Sequence, residues 1–181
     1  MIESFILKEV GKELVKESSE IPKFAKGLKP KEITSFEEAN KDYEKIKTRN
    51  EGLEGLRHSE TGVSFQKKEI DLGEKIIEGV FPEFTAEFEM ELDESLHLES
   101  DRKQFQAANS ELLKEVVENP ELKEKFNSEQ LEQIMEGETP DGYTWHHSEQ
   151  PGVMQLVDEK THAQTGHTGG KAIWGGGQGN R

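Results

Sequence analysis

Residues 139–170 read TPDGYTWHHSEQPGVMQLVDEKTHAQTGHTGG, and this stretch decides the fold that the sequence predicts. Two clusters of turn-forming residues each precede a short run of strand-forming residues, which is typical of two consecutive strands. Asp158 then stands where a helix N-cap is expected, and Gly166 stands where that helix would end. The stretch therefore predicts a turn, a strand, a second turn, a second strand and a short helix, at 139–142, 143–147, 149–152, 153–157 and 158–165.

Four of the six histidines of the chain lie in this unit, and the chain contains no cysteine. Any metal ion must therefore be held by His, Asp or Glu side chains. His146 and His147 end the first predicted strand, where adjacent side chains point in different directions and can serve different roles. Paired histidines alone are more often incidental surface residues. Together with His162, His167 and the turn signals, they favour a metal-dependent site.

The unit resembles the HNH endonuclease superfamily, whose active site is a ββα-metal unit, and in particular its Trp-His-His/Leu-His-His branch of bacterial polymorphic toxin systems. The residues that carry the likeness are Gly142-Tyr143-Thr144-Trp145-His146-His147, Gly152-Val153-Met154-Gln155-Leu156-Val157 and His162 followed by His167-Thr168-Gly169-Gly170. The resemblance implies a hydrolase, a metal-dependent endonuclease that cleaves phosphodiester bonds, with DNA favoured over RNA as its substrate.

The same resemblance implies a role for each matching residue. His146 is expected to be a metal ligand, and His147 the general base that takes a proton from the attacking water. His162 is expected to be a second metal ligand. Gln155 stands near the position where the HNH pattern has Asn, and its amide is expected to hold the loop that carries the base. Gln155 departs from the pattern, so that role is the least supported by the likeness.

His167 is expected to be a third metal ligand. It lies five residues beyond His162, and on a continuous helix the two side chains would point about 140° apart. A positive φ at Gly166 would let the chain turn and bring His167 back. Three imidazoles with one open position suit a single catalytic Zn²⁺, while Mg²⁺, Mn²⁺ or Ni²⁺ are also used in this superfamily. Magnesium is the least natural of these ions for an all-imidazole site.

Two other functions compete with a nuclease. One is a zinc-stabilised, non-catalytic binding module, in which His147 would join the metal instead of standing beside it. The other is a metal-dependent hydrolase of a different substrate. Several other side chains are most simply interpreted without a function: His58 and His97 as ordinary surface or hairpin residues, Glu149 as a turn residue, Asp158 as a helix cap and Trp145 as a packed side chain. The alternatives are that Glu149 and Asp158 orient a ligand histidine and that Trp145 stacks on a base.

The charge of the chain argues against a simple nucleic-acid binder, because phosphate affinity normally comes from Lys and Arg. The formal net charge is −15. Residues 139–181 hold four acidic and three basic side chains, so −14 of that charge belongs to residues 1–138. A bound divalent cation would make the C-terminal segment locally positive.

The region before the histidine-rich unit is expected to be acidic and mainly helical, with a small hairpin. Amphipathic helices are predicted at 4–17, 35–50, 100–118 and 128–136, and a hairpin at 63–81 that Pro82 ends. The whole is predicted to be an α+β fold in three segments: a helical arm or linker at 1–55, an acidic hairpin-plus-helices region at 56–138, and the ββα-metal unit with a Gly-rich tail at 139–181.

Eight charged side chains lie among the first twenty residues, which excludes a signal-peptide core or a membrane span there. The resemblance implies an antibacterial toxin that is secreted or delivered without an N-terminal signal peptide and acts in the cytoplasm of a target cell. Its expected partners are a nucleic acid substrate and a cognate immunity protein.

Overall fold

The computed structural model describes residues 41–180, so the predicted helix at 4–17 and the beginning of that at 35–50 lie outside the described residues. Within the described range the chain forms both helices and strands, which confirms the predicted α+β class. The elements are β1 (Asp42–Lys45), β2 (Ser64–Asp71), β3 (Lys75–Glu83), β4 (Ala86–Glu91), α1 (Asp101–Glu118), α2 (Pro120–Lys123), α3 (Ser128–Met135), β5 (Tyr143–His147), β6 (Val153–Asp158) and α4 (Glu159–Gln164).

The predicted hairpin forms the larger part of the first sheet, whose strand order is β1-β3-β2. Strand β3 runs one residue past Pro82, which pairs with Phe65. The Phe65 backbone N–H donates to the Leu56 carbonyl, and the Phe65 carbonyl accepts from the Gly55 N–H. The Phe65–Pro82 pair is therefore a non-hydrogen-bonded pair of the ladder, and the missing N–H of proline removes no bond from it.

The predicted helix at 35–50 is wrong over Asp42–Lys45, which form β1. This strand pairs in parallel with Lys75–Glu78 of β3. Its apolar spacing is compatible with a helix, but the open edge of β3 offers backbone hydrogen bonds that intrinsic propensity does not anticipate. The Tyr43 hydroxyl adds a hydrogen bond to Glu78 across the same edge (2.7 Å).

The second sheet, in the order β4-β6-β5, carries the histidine-rich unit. Strands β5 and β6 confirm the prediction, and Asp158 caps α4 by accepting a hydrogen bond from the Thr161 N–H (2.7 Å). The sequence did not predict β4, an acidic strand that pairs antiparallel with β6. The strand-turn-strand-helix unit is thus extended by one strand from the preceding region.

Helices α1 and α3, both predicted, cover one face of the second sheet. The buried side chains between them and the sheet form the main core, which includes Ala108, Leu112, Val116, Ile134, Met154 and Leu156. Trp145 packs in this core, as predicted, and is 3% exposed. Its indole N–H donates to Asn109 Oδ1 (2.7 Å), so its one polar group is satisfied where it is buried.

The segment after α4 is held against the turn that follows β5. The Trp174 indole N–H donates to the Ser148 carbonyl (2.8 Å). Gly170 lies against the same carbonyl, so closely that a Cβ on it would stand 1.7 Å from the Ser148 oxygen. Only glycine fits between these two stretches of backbone.

We expect Gly170→Ala to destabilise the protein by about 1–3 kcal/mol, because the backbone must shift to admit the methyl group. Urea unfolding followed by circular dichroism measures the effect. The matched control is Gly52→Ala, since a Cβ there meets nothing within 4 Å. Equal stability of the two variants would contradict the close packing of Gly170.

Candidate metal centre and active site

Three histidines converge at one end of the second sheet. His146 is the penultimate residue of β5, His162 lies on α4, and His167 follows that helix. One ring nitrogen from each lies within 4.8 Å of the other two. His146 Nδ1 and His162 Nε2 are 3.2 Å apart. Two nitrogens bound to one tetrahedral zinc, each at about 2.0–2.1 Å, stand about 3.3 Å apart. We call these three residues the histidine triad.

His167 reaches the triad by a route that the sequence did not predict. The expectation of a positive φ at Gly166 is wrong, because the φ angle of Gly166 is not positive in the structure. The chain leaves α4 at Thr165 instead, whose φ of −95° and ψ of 83° lie outside the helical region. Asn50 holds the next peptide by donating from Nδ2 to the Gly166 carbonyl (2.8 Å). The backbone N–H of Arg49 donates to Thr168 Oγ1 (2.9 Å) and holds the same loop two residues further along.

Burial sets the protonation state of the triad. It holds the pKa of His146 well below the usual value and lowers that of His162 to about 4. Burial also lowers the pKa of His167, whose Nδ1 donates to the Thr165 carbonyl (2.7 Å). That hydrogen bond leaves Nε2 of His167 as the nitrogen with a lone pair. Three neutral imidazoles, one oriented by a backbone carbonyl, are the form in which histidine binds a metal cation.

Phe84 forms an apolar wall of the triad, and sequence reasoning missed it. Its ring centroid lies 4.8 Å from that of His146, 5.3 Å from His162 and 5.2 Å from His167. It stands between β3 and β4, in an acidic stretch with no motif around it. Only the pairing of β4 with β6 places this residue beside the histidines.

Two charged side chains near the triad were also missed or misread. Arg49 is exposed, and its positive charge adds to the effect of burial on the pKa of His167. Glu149, interpreted from the sequence as a plain turn residue, is only 6% exposed. It accepts a hydrogen bond from the Lys68 ammonium (2.8 Å) and so ties the turn after β5 to the first sheet.

The structure places His147 on the opposite face of the sheet from His146. His146 pairs with Gln155, whereas His147 pairs with Met154, which belongs to the core under α1. The His147 ring packs between Phe105 and Trp174, with centroid distances of 5.6 Å to each. Among residues 41–180, the cluster able to hold a metal comprises the triad alone.

Gln155 lies on the same sheet face as His146, its cross-strand partner. Its Nε2 donates to Glu89 Oε2 on β4 (2.6 Å). Because β4 and β5 flank β6 on opposite sides, this hydrogen bond points away from the loop that follows β5.

The family model for the DNase/tRNase domain of colicin-like bacteriocins matches residues 73–169, more than half of the 181-residue chain. The chain belongs to this family. Comparisons with curated proteins and with solved structures found no match. A colicin-like DNase/tRNase domain is a nuclease toxin domain, so its substrate is a nucleic acid.

The match to the colicin-like nuclease family includes the whole histidine triad, His147 and Phe84. Arg49 and Trp174 lie outside the matched residues. In the described part of this colicin-like nuclease domain, no helix has the length and apolar character needed to cross a membrane.

Proposed function

We propose that this bacteriocin-type nuclease domain is a metal-dependent HNH endonuclease, with DNA as the favoured substrate. The observation that carries the proposal is the histidine triad itself. Three neutral imidazoles from a strand, a helix and the following loop present nitrogens within 4.8 Å of one another. That donor set, on a strand-turn-strand-helix unit, is what a single catalytic metal of this superfamily requires.

His146, His162 and His167 would hold one divalent cation. Zn²⁺ suits three imidazoles best, and Mn²⁺, Ni²⁺ or Mg²⁺ are the other candidates. When bound, the cation would neutralise charge on the scissile phosphate and on the leaving 3′ oxygen. Phe84 excludes water from one side of the three rings, which strengthens electrostatic interactions there.

The other residues would bind and activate the reactants. His147 would act as the general base that takes a proton from the attacking water. Arg49, exposed beside the triad, would contact a phosphate of the substrate and offset the acidic charge of the chain locally. Gln155 would act by holding β4 and β6 together at the face that bears His146, through its hydrogen bond to Glu89.

A structural zinc site is the competing function, and the position of His147 argues against it. A closed tetrahedral site needs a fourth protein ligand. Within residues 41–180 no other His, Asp or Glu joins the triad, and His147 faces the α1 side of the sheet. The open position that remains is the one that a catalytic metal uses for water or substrate.

The family also supports the proposed biological setting. A colicin-like toxin domain acts in a target cell after delivery, and such a nuclease endangers the cell that makes it. We propose that the domain belongs to a polymorphic toxin system, reaches the cytoplasm of a target cell by delivery, and is neutralised by a cognate immunity protein.

The decisive assay incubates the full chain with plasmid DNA and with RNA. Each substrate is tested after EDTA treatment and after addition of Zn²⁺, Mn²⁺, Ni²⁺ or Mg²⁺. We expect plasmid cleavage that EDTA abolishes and at least one of the metals restores. Cleavage of RNA alone would overturn the DNA preference. A chain that EDTA unfolds but that cleaves neither substrate with any metal would be the structural zinc module.

A further inference from the structure

His167 differs from the other two histidines of the triad in how it is held. His146 lies on a strand and His162 on a helix, so the backbone hydrogen bonds of those elements fix where each side chain begins. His167 lies on neither, in the loop that follows α4. Its position therefore depends on the contacts that this loop makes with other parts of the protein.

The loop before His167 is held by a buried asparagine. Asn50 is 5% exposed, and its Nδ2 donates to the Gly166 carbonyl (2.8 Å). A second contact lies one residue earlier, where Thr165 Oγ1 is 2.8 Å from Thr61 Oγ1. Thr165 is fully buried, and its carbonyl accepts from His167 Nδ1 (2.7 Å). The residue that orients the His167 ring is thus held from outside its own loop.

The loop after the histidine is held by Arg49. Its backbone N–H donates to Thr168 Oγ1 (2.9 Å). Its guanidinium lies across Gly166, so closely that a Cβ on this glycine would stand 2.7 Å from Arg49 Cζ. Residues 49–61, which we call the docking segment, therefore contact the loop on both sides of its histidine. The docking segment precedes the residues that match the family model, 73–169.

The hydrogen bonds that Asn50 does not make show what places its side chain. Asn50 stands at the N-cap of a single 3-10 turn, Glu51–Leu53, where the oxygen of an asparagine commonly accepts from the backbone of the turn. No such hydrogen bond forms there. Instead Oδ1 is buried without a hydrogen-bond partner among residues 41–180. Because buried polar atoms are rarely left unpaired, we attribute this arrangement to the contact that Nδ2 makes with Gly166.

We propose that Asn50 is a positioning residue of the metal centre, which places His167 by holding the Gly166 carbonyl. The inference rests on the proposed function, in which the triad holds one divalent cation. Without this hydrogen bond, His146 and His162 would keep their places, while the third imidazole would lie on a less constrained loop. Groups that hold a metal ligand without touching the metal typically contribute about 10- to 100-fold to metal affinity.

Calorimetric zinc titration of the full chain tests the inference. In Asn50→Leu, which keeps nearly the same shape and has neither donor nor acceptor, we expect zinc affinity to fall by about 10- to 100-fold. Thr168→Val removes the acceptor on the other side of His167 at a half-buried position, and its zinc affinity should also fall. The matched control is Asn119→Ala, which removes the N-cap of α2 and no contact of the triad. Its zinc affinity should equal that of the wild type.

Thermal melting in EDTA on the same samples separates a loss of fold from a loss of metal affinity. Wild-type zinc affinity in a folded Asn50→Leu protein would overturn the inference, and so would an equal loss of affinity in Asn119→Ala. If Asn50→Leu does not fold, Thr168→Val decides, and unchanged zinc affinity there would overturn the inference. Failure of the nuclease function is a different result: the wild-type chain would bind zinc but cleave neither DNA nor RNA, and the zinc affinities would still decide the role of Asn50.

Discussion

His146→Ala and His162→Ala should each abolish metal-dependent cleavage and weaken zinc binding by more than about 100-fold. Loss of a residue that merely orients a ligand already costs about 10- to 100-fold, and these substitutions would remove a coordinating nitrogen. One ring nitrogen from each of the three histidines lies within 4.8 Å of the other two, so each substitution leaves only two of the three proposed ligands. Excess metal should restore part of the activity. Calorimetric zinc titration and a plasmid-nicking assay measure the two effects.

The matched control for these variants is His58→Ala. His58 lies in the loop before β2, where its Nδ1 accepts from the Thr61 N–H (3.2 Å), and it belongs to no metal-capable cluster of the described residues. Its variant should bind zinc and cut plasmid as the wild type does. Full zinc affinity in His146→Ala would show that the triad is not the metal site.

His147→Ala should behave in the opposite way, with nearly unchanged zinc affinity and a cleavage rate lowered by about 10²- to 10⁴-fold. No coordinating bond is removed, because the His147 ring packs on the other face of the sheet, against Phe105 and Trp174. In the proposed mechanism the rate falls because the proton of the attacking water loses its acceptor. Titration and nicking assays on the same samples separate the two effects.

Alanine at this buried position leaves a cavity, so His147→Gln serves as a second variant. Its amide N–H can still donate to Gln104 Oε1, which lies 2.8 Å from His147 Nε2 in the wild type. The amide cannot act as a base at neutral pH. We expect it to be as inactive as His147→Ala and closer to the wild type in melting temperature. Equal loss of zinc affinity in His146→Ala and His147→Ala would instead assign both histidines to a structural site.

The sequence alone determined the strand-turn-strand-helix unit and the α+β class, because the signals that specify them are local. Turn residues, strand-forming runs and the Asp158 cap each act within a few residues of the backbone that they shape. The spacing of His146 and His162 on this unit follows directly from those elements. Helices α1 and α3 were predictable for the same reason, since apolar periodicity and capping lie within each segment.

Only the tertiary structure decided what surrounds the histidines. Strand β1 forms because β3 offers an open edge, and β4 carries Phe84 to the triad because it pairs with β6. His167 reaches the other two rings because Asn50, 116 residues away from Gly166, holds that loop. The His147 ring contacts the side chain of Gln104, 43 residues away. Contacts over such separations depend on how whole elements pack, and no periodicity or spacing along the chain encodes them.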